Sequence, residues 1–195
     1  MAGQTNAERG RDARARLLAA ARELIGEVGW TAVSTRVLAE RADMRPGLVH
    51  YHFDSLQALL RQAALGEMRR TLDDTAALLA TADGPTEGVT AMLSFLDRYS
   101  GGDPTSLLFI EAYLAATRDA RLRERISELM AEFRGDLTAS LTRSGHHSPE
   151  AAANLVLALL DGFVLHKGIN PELSAAEIAP LVRAVTRPDT DGAPE

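Results

Sequence analysis

Apolar residues recur three and four positions apart along nearly the whole chain, and no segment keeps the strict alternation of a half-buried strand between hairpin turns. The pattern predicts an all-α protein. Leu17, Ala21, Leu24 and Val28 form one face of a first helix, which Gly29 is suited to end because glycine tolerates the left-handed conformation of many helix exits. Ser34 offers its hydroxyl as N-cap to a second helix over residues 35–41, with Ala39 facing inward. Pro46 disfavours helical geometry at Arg45 and suits a first helical position, so a third short helix is expected from there to Phe53. Asp54, with Gln57 three residues on, has the signature of a capping box for the next helix.

That next helix is expected to run to about Ala80 and stop at Asp83-Gly84-Pro85. Another carries Val89, Met92, Leu96 and Tyr99 on one stripe until Gly101-Gly102 breaks it. Asp103 caps and Pro104 opens a segment that is apolar over 107–116 apart from Glu111. From near Asp119 to Gly145 runs an amphipathic helix with the stripe Leu122, Ile126, Leu129, Phe133, Leu137 and Leu141. Ser148-Pro149 starts a helix that is apolar almost all round over 155–166, and in a chain this small such a helix calls for a partner subunit. Ala151, Ala158 and Gly162 lie near one line along it, where small side chains let a neighbouring helix approach. Ser174 with Glu177 caps a last helix bearing Ile178, Leu181, Val182 and Val185, with Pro180 expected to kink its first turns or delay its start. Residues 1–10 and 188–195 read as a loose N-terminal arm and a loose tail.

The chain has 195 residues, 46% hydrophobic and 25% charged, a soluble-protein composition whose length admits two modest domains. It contains no cysteine, which excludes a disulfide framework, a thiol nucleophile and thiolate zinc sites. No uninterrupted apolar run of the roughly 18 residues that cross a bilayer is present, and the first residues lack the apolar stretch of a secretory signal, so a cytoplasmic protein with no membrane partner is expected. The net charge of −6 is segregated: residues 1–53 hold eight arginines against six carboxylates, and the remainder 13 basic against 21 acidic groups. This weak polarisation permits an anionic partner for the N-terminal part without requiring one.

Two short helices joined by a tight turn, the second exposing polar side chains, are the layout of a helix-turn-helix DNA reader, although an ordinary helical hairpin has the same outline. The residue types favour the reader. Ser34, Thr35 and Arg36 stand at a helix N-terminus, where hydroxyls, free amides and the positive dipole end suit a phosphate, and Arg45, His50, Tyr51 and His52 add donors around the next helix. The run from Gly29 to Leu59, GWTAVSTRVLAERADMRPGLVHYHFDSLQAL, resembles the N-terminal domain of TetR-family transcriptional regulators: Gly29, Trp30, Ala32 and Ser34 match its opening, Leu38-Ala39 its apolar-Ala pair, and His52-Phe53, Ser55 and Leu59 its close.

The resemblance implies that Ser34, Thr35 and Arg36 touch the DNA backbone, that Arg45, Gly47, Leu48 and Tyr51 face the major groove, and that His50 and His52 meet phosphates. Arg45 is suited to bidentate pairing with guanine, and Tyr51 or Leu48 to a thymine methyl, while Val49 and Phe53 should pack inward. Three residues depart from the family pattern: Asp43 replaces a turn glycine, His50 a tyrosine, and Leu56 a phosphate-contacting lysine. The last costs about one charge of salt dependence. The resemblance further implies a helix-turn-helix domain over residues 11–53 and a larger effector-binding and dimerisation domain over 54–187, with the helix from Asp54 as the lever between them. The final two helices would form a homodimer through Leu155, Ala158, Gly162, Leu165, Ile178, Leu181, Val182 and Val185. Such a dimer would bind a palindromic operator in double-stranded DNA, as a repressor released by a small, largely apolar effector.

Glu111 and Asp161 are carboxylates within apolar helices, where a charge needs a partner, and each suits either a ligand or a helix-to-helix bond. Met68, Met92, Phe95, Tyr99, Tyr113, Met130 and Phe133, with Glu111, are the candidate effector contacts, and Phe109 adds to the same apolar surface; a packed core uses the same residue types. No metal or cofactor is expected, since His50 with His52 and His146 with His147 lack the i, i+4 spacing of a helical metal site. GxSxG, HExxH, P-loop and GxGxxG elements are all missing, so no catalytic residues are assigned. Two other readings stay open: a helical DNA-binding or interaction module without an effector, and a helical-bundle enzyme using Glu111.

Overall fold

The computed structural model describes residues 5–188, and all regular structure among them is helical. The elements are α1 (Asn6–Val28), a one-turn 3-10 helix (Trp30–Ala32), α2 (Thr35–Arg41), α3 (Gly47–His52), α4 (Leu56–Thr81), α5 (Pro85–Leu96), α6 (Pro104–Ala116), α7 (Ala120–Arg143), α8 (Pro149–Lys167) and α9 (Ala175–Thr186). They make two compact units, one of the described residues up to 68 with 103–125, the other of 69–102 with 126–188. The helix-turn-helix therefore shares its unit with the first half of α4, with α6 and with the start of α7.

In the first unit α1 is the central helix. Leu17, Ala21 and Leu24 are buried as their spacing requires, together with Ala20 and Ile25. Val28, expected on the same face, is 48% exposed. It is the last residue of α1, and Ile25 and Trp30 fill the core around that exit instead. Gly29 leaves the helix with φ 83°, a conformation that penalises any side chain. A Cβ on Gly26 would stand 2.3 Å from the Pro104 carbonyl oxygen, so α1 meets α6 backbone to backbone. The helix also starts earlier than its apolar pattern suggests. Thr5 Oγ1 accepts from the Glu8 N–H at 3.3 Å and the Glu8 carboxylate accepts from the Thr5 N–H at 2.7 Å, so residues 6–10 are helical and not a loose arm. Residues 1–4 of that expected arm, and 189–195 of the expected tail, lie outside the described residues.

At α4 the predicted Asp54–Gln57 box does not form. Ser55 Oγ accepts from the Ala58 N–H at 3.1 Å, and Gln57 Oε1 accepts from the Trp30 indole N–H at 3.0 Å, drawing the glutamine to a partner in α1's exit. Asp103 caps as predicted, through the N–H groups of Thr105 and Ser106, and Asp119, near which the next helix was expected to begin, accepts from the N–H of Leu122.

In the second unit Phe133, Leu137 and Leu141 of α7 join Leu79, Val89, Met92, Leu93, Val156, Leu160 and Phe163 in one core. Tyr99, expected on the α5 stripe, lies beyond the helix, which ends at Leu96. Asp97 there organises three helix ends. Its carboxylate accepts from Lys167 Nζ at the end of α8 and from the Ala175 N–H opening α9, while its carbonyl also accepts from Lys167. These bonds, the lysine's first, hold its carboxyl below the usual carboxylate range. Ser174 and Ser148 make no side-chain cap; the Asp97 carboxylate meets the α9 N-terminus, and the Ser148 N–H donates to His146 Nδ1. Pro180 sits inside α9, which nevertheless begins directly at Ala175. By length and composition alone α8 would span a membrane. In this unit it buries Ala152, Ala153, Val156, Leu160 and Phe163 and turns Leu155, at 51% exposure, and Leu165 outward.

Candidate nucleic-acid interface

The helix-turn-helix is built from short-range choices. Ser34 Oγ accepts from the Val37 N–H at 3.3 Å and starts α2, whose Leu38 and Ala39 are buried. After Arg41 the chain turns through Asp43, whose φ of 52° makes it the one non-glycine residue in left-handed geometry among those described. The Met44 N–H closes the turn onto the Ala39 carbonyl at 2.9 Å, and Arg16 of α1 donates to the Ala42 and Asp43 carbonyls at 2.6 and 3.2 Å. Pro46 precedes α3 with φ −52°, already helical.

Val49 and Phe53 anchor α3 in the core of the first unit. At 100° per residue, Tyr51 then points directly away from both, Gly47 lies close beside it, and Leu48 and His50 fall on opposite flanks. Exposure follows this wheel: Tyr51 is 80% exposed, Gly47, Leu48 and His50 are exposed, and His52, toward the anchored side, is half-buried with its ring edge-on to Tyr51 at 4.9 Å. Ser34, Arg36 and Arg45 are exposed and Thr35 is half-buried.

The basic side chains divide sharply. Arg41 is held by Glu27 and Glu23 at 2.6 and 3.1 Å, which raises its pKa and, through the same hydrogen bond, lowers that of Glu27. Arg22 pairs with Glu67 at 3.3 Å. Arg14 donates to the His52 carbonyl at 2.8 Å and to Gln62 Oε1 at 2.5 Å, its guanidinium 4.3 Å from the Phe53 ring centroid. Arg36 and Arg45 have no ion pair with any described residue. They are therefore the cations available on the surface that Tyr51 centres, and an exposed, donor-rich helix flanked by uncompensated arginines suits a polyanion.

Sequence reasoning did not reach Arg14, Arg16 or Gly26, whose partners lie far along the chain. Glu111 does find the partner its burial demands: Oε2 accepts from the Trp30 backbone N–H at 2.8 Å, the helix-to-helix bond that the sequence left open beside a ligand role. Of the other candidate effector contacts, Met68 and Tyr113 fall with Glu111 in the first unit, and Met92, Phe95, Tyr99, Met130 and Phe133 in the second. Met68, Met92 and Phe133 are buried; Phe95, Tyr99, Tyr113 and Met130 are half-buried, the Phe95 and Tyr99 rings 5.8 Å apart. Of the candidate dimer residues, Leu155, Ala158, Leu165 and Leu181 are exposed and Gly162, Ile178 and Val185 half-buried. Val182, at 1% exposure, is a correction: it points into the core of its own unit and offers nothing to a partner.

Residues 17–63 match the model of bacterial regulatory proteins of the tetR family, and residues 83–188 match the tetracyclin repressor-like C-terminal domain. An HTH-type transcriptional regulator of Mycobacterium tuberculosis is 26% identical over 191 residues, covering 94% of this chain and 97% of the relative. The HTH-type transcriptional regulator BetI of Rhizobium meliloti is 26% identical over 189 residues, 92% of each chain. Among solved structures, the transcriptional regulator SCO7518 of Streptomyces coelicolor superposes with a TM-score of 0.74 at 27% identity, over 90% of this chain and 99% of that one. The multidrug binding protein EbrR, complexed with imidazole, does so with a TM-score of 0.70 at 26% identity, over 91% and 97%. The chain belongs to the TetR family of transcriptional regulators, and its helix-turn-helix is that of a DNA-binding regulator.

Proposed function

We propose that this regulator is a homodimeric repressor that binds a palindromic operator through α3 and leaves it when a small effector binds. The observation that carries the reading is the exposed surface of α3 and its turn, where Tyr51, Leu48, Gly47 and Arg45 would enter the major groove and Ser34, Thr35, Arg36, His50 and His52 would meet the phosphate walls. Charge supports it, because Arg36 and Arg45, both exposed, have no ion pair with any described residue. Dimerisation would use the outward faces of α8 and α9, where Leu155, Ala158, Leu165 and Leu181 leave apolar area in water. A two-fold pair of reading heads implies an inverted repeat with half-sites in register.

Release requires only that an effector bind more tightly to the form whose heads fit DNA badly, which makes the two ligands mutually antagonistic. EbrR, named a multidrug binding protein, and a similarly folded regulator from Saccharomonospora viridis in complex with choline support a small-molecule effector. In this chain the half-buried Phe95, Tyr99 and Met130 of the second unit are the proposed apolar contacts, with Tyr99 supplying a hydroxyl. The protein would act in the cytoplasm, with its DNA. The test is a thermal-shift screen of small molecules followed by gel shifts on a duplex that the protein itself selects from a random library. A compound that raises Tm and releases the selected duplex supports the reading; saturating stabilisers that leave the complex intact contradict it.

A further inference from the structure

We infer that Arg14 is a positioning residue for DNA reading, setting the attitude of α3 by tying its exit to α1 and α4; this rests on the DNA-binding role above. The recognition helix has six residues, under two turns, and its packing anchors are Val49 and Phe53 alone. So short a helix cannot define its own direction by side-chain burial, because two anchors one turn apart leave it free to roll about the line joining them. Arg16 and the Met44–Ala39 bond fix the turn at the helix's entry, and Arg14 supplies the constraint at its exit. One arm of its guanidinium donates to the carbonyl of His52, the last residue of α3, at 2.8 Å, the other reaches Gln62 of α4 at 2.5 Å, and its face covers the Phe53 ring at 4.3 Å.

The three contacts need a planar fork. An ammonium group can replace the charge but cannot donate in two fixed directions while stacking on a ring. The bond to the His52 carbonyl also satisfies an acceptor that a helix end leaves without an intrahelical partner. Since both arms are spent inside the protein, Arg14 acts on DNA through α3 and not by neutralising a phosphate. Its loss should thus be read in sequence discrimination, leaving the salt dependence unchanged.

The experiment compares the parent with Arg14→Lys, Arg14→Ala and Gln62→Leu, measuring Kd across a salt series for a duplex selected by the parent and for a scrambled duplex. The expected result is that both Arg14 variants lose about tenfold in the selected-to-scrambled ratio, on the scale of one mismatched base pair per site. The slope of log Kd against log salt should stay at the parent value, and Gln62→Leu should show the same loss in weaker form. Restoration by lysine would overturn the proposal, since charge would then suffice. So would a uniform loss on both duplexes with the slope reduced by about one, the mark of a phosphate contact. If the Arg14 variants unfold, Gln62→Leu decides, and a parent-like ratio there overturns the proposal. A parent chain that binds no duplex contradicts the DNA-binding role itself, a different result from a parent that discriminates and Arg14 variants that discriminate equally well.

Discussion

Asp43 occupies a turn position that glycine would fill without strain, and its φ of 52° costs an L-residue roughly 1 kcal/mol, least for Asp and Asn. Its carboxylate meets Arg16 at 3.3 Å, but with both side chains more than half exposed that pair contributes little. Asp43→Val, β-branched and intolerant of this region, should lower stability by about 1–2 kcal/mol in denaturant unfolding, and Asp43→Gly should hold or raise it. The strain was legible through the family resemblance, whose pattern places a glycine at this turn, where Asp tolerates left-handed geometry better than most residues. Glu111 was legible in part: a carboxylate in an apolar helix announces a partner, but Trp30 lies 81 residues away and no local pattern reveals it. Glu111→Ala should leave the Trp30 N–H unpaired at a cost of about 1–3 kcal/mol, and Glu111→Gln, which keeps an acceptor, distinctly less.

At the scale of elements, local signals were read well where the partner was local. Ser34 and Asp103 cap the helices they precede because their acceptors lie two or three residues from the donors. The signals at Gln57 and Ser174 gave way to tertiary partners, the Trp30 indole in one case and the Asp97 carboxylate in the other. Asp97 makes a pH-dependent prediction. Its depressed pKa means that its stabilisation is fully present above the ordinary carboxylate value near 4 and is lost as pH falls through the lower folded value. Asp97→Asn should therefore be less stable than the parent at pH 7, and the two Tm curves should converge as pH falls below about 4. Gly66 of α4 is exposed, and a Cβ there would meet nothing. Gly66→Ala should raise stability by about 0.5–1 kcal/mol from helix propensity alone.

For the whole molecule, the helical class followed directly from the apolar period, because 3.6-residue spacing recurs along nearly the whole chain. What the period could not supply was allegiance. α6 lies in the C-terminal part of the sequence yet packs on α1, an association set by Gly26 against Pro104 and Glu111 against Trp30, contacts that no one-dimensional pattern encodes. The same limit separates Leu181 from Val182. Neighbours on one apolar helix, they lie at 65% and 1% exposure. Leu181→Glu should weaken or split the proposed dimer in sedimentation while Tm of the monomer holds, whereas Val182→Ala should cost about 2 kcal/mol of folding stability by opening a cavity.

The most direct test of the regulator's reading surface is the affinity of Arg45→Ala and Arg36→Ala for a duplex selected by the parent, each compared with a scrambled duplex over a range of salt. Arg45→Ala is predicted to lose preference for the selected sequence, by about 1–3 kcal/mol, while Arg36→Ala weakens both duplexes alike and reduces the salt slope by about one. If both variants bind and discriminate as the parent does, α3 and its flanking arginines do not read DNA.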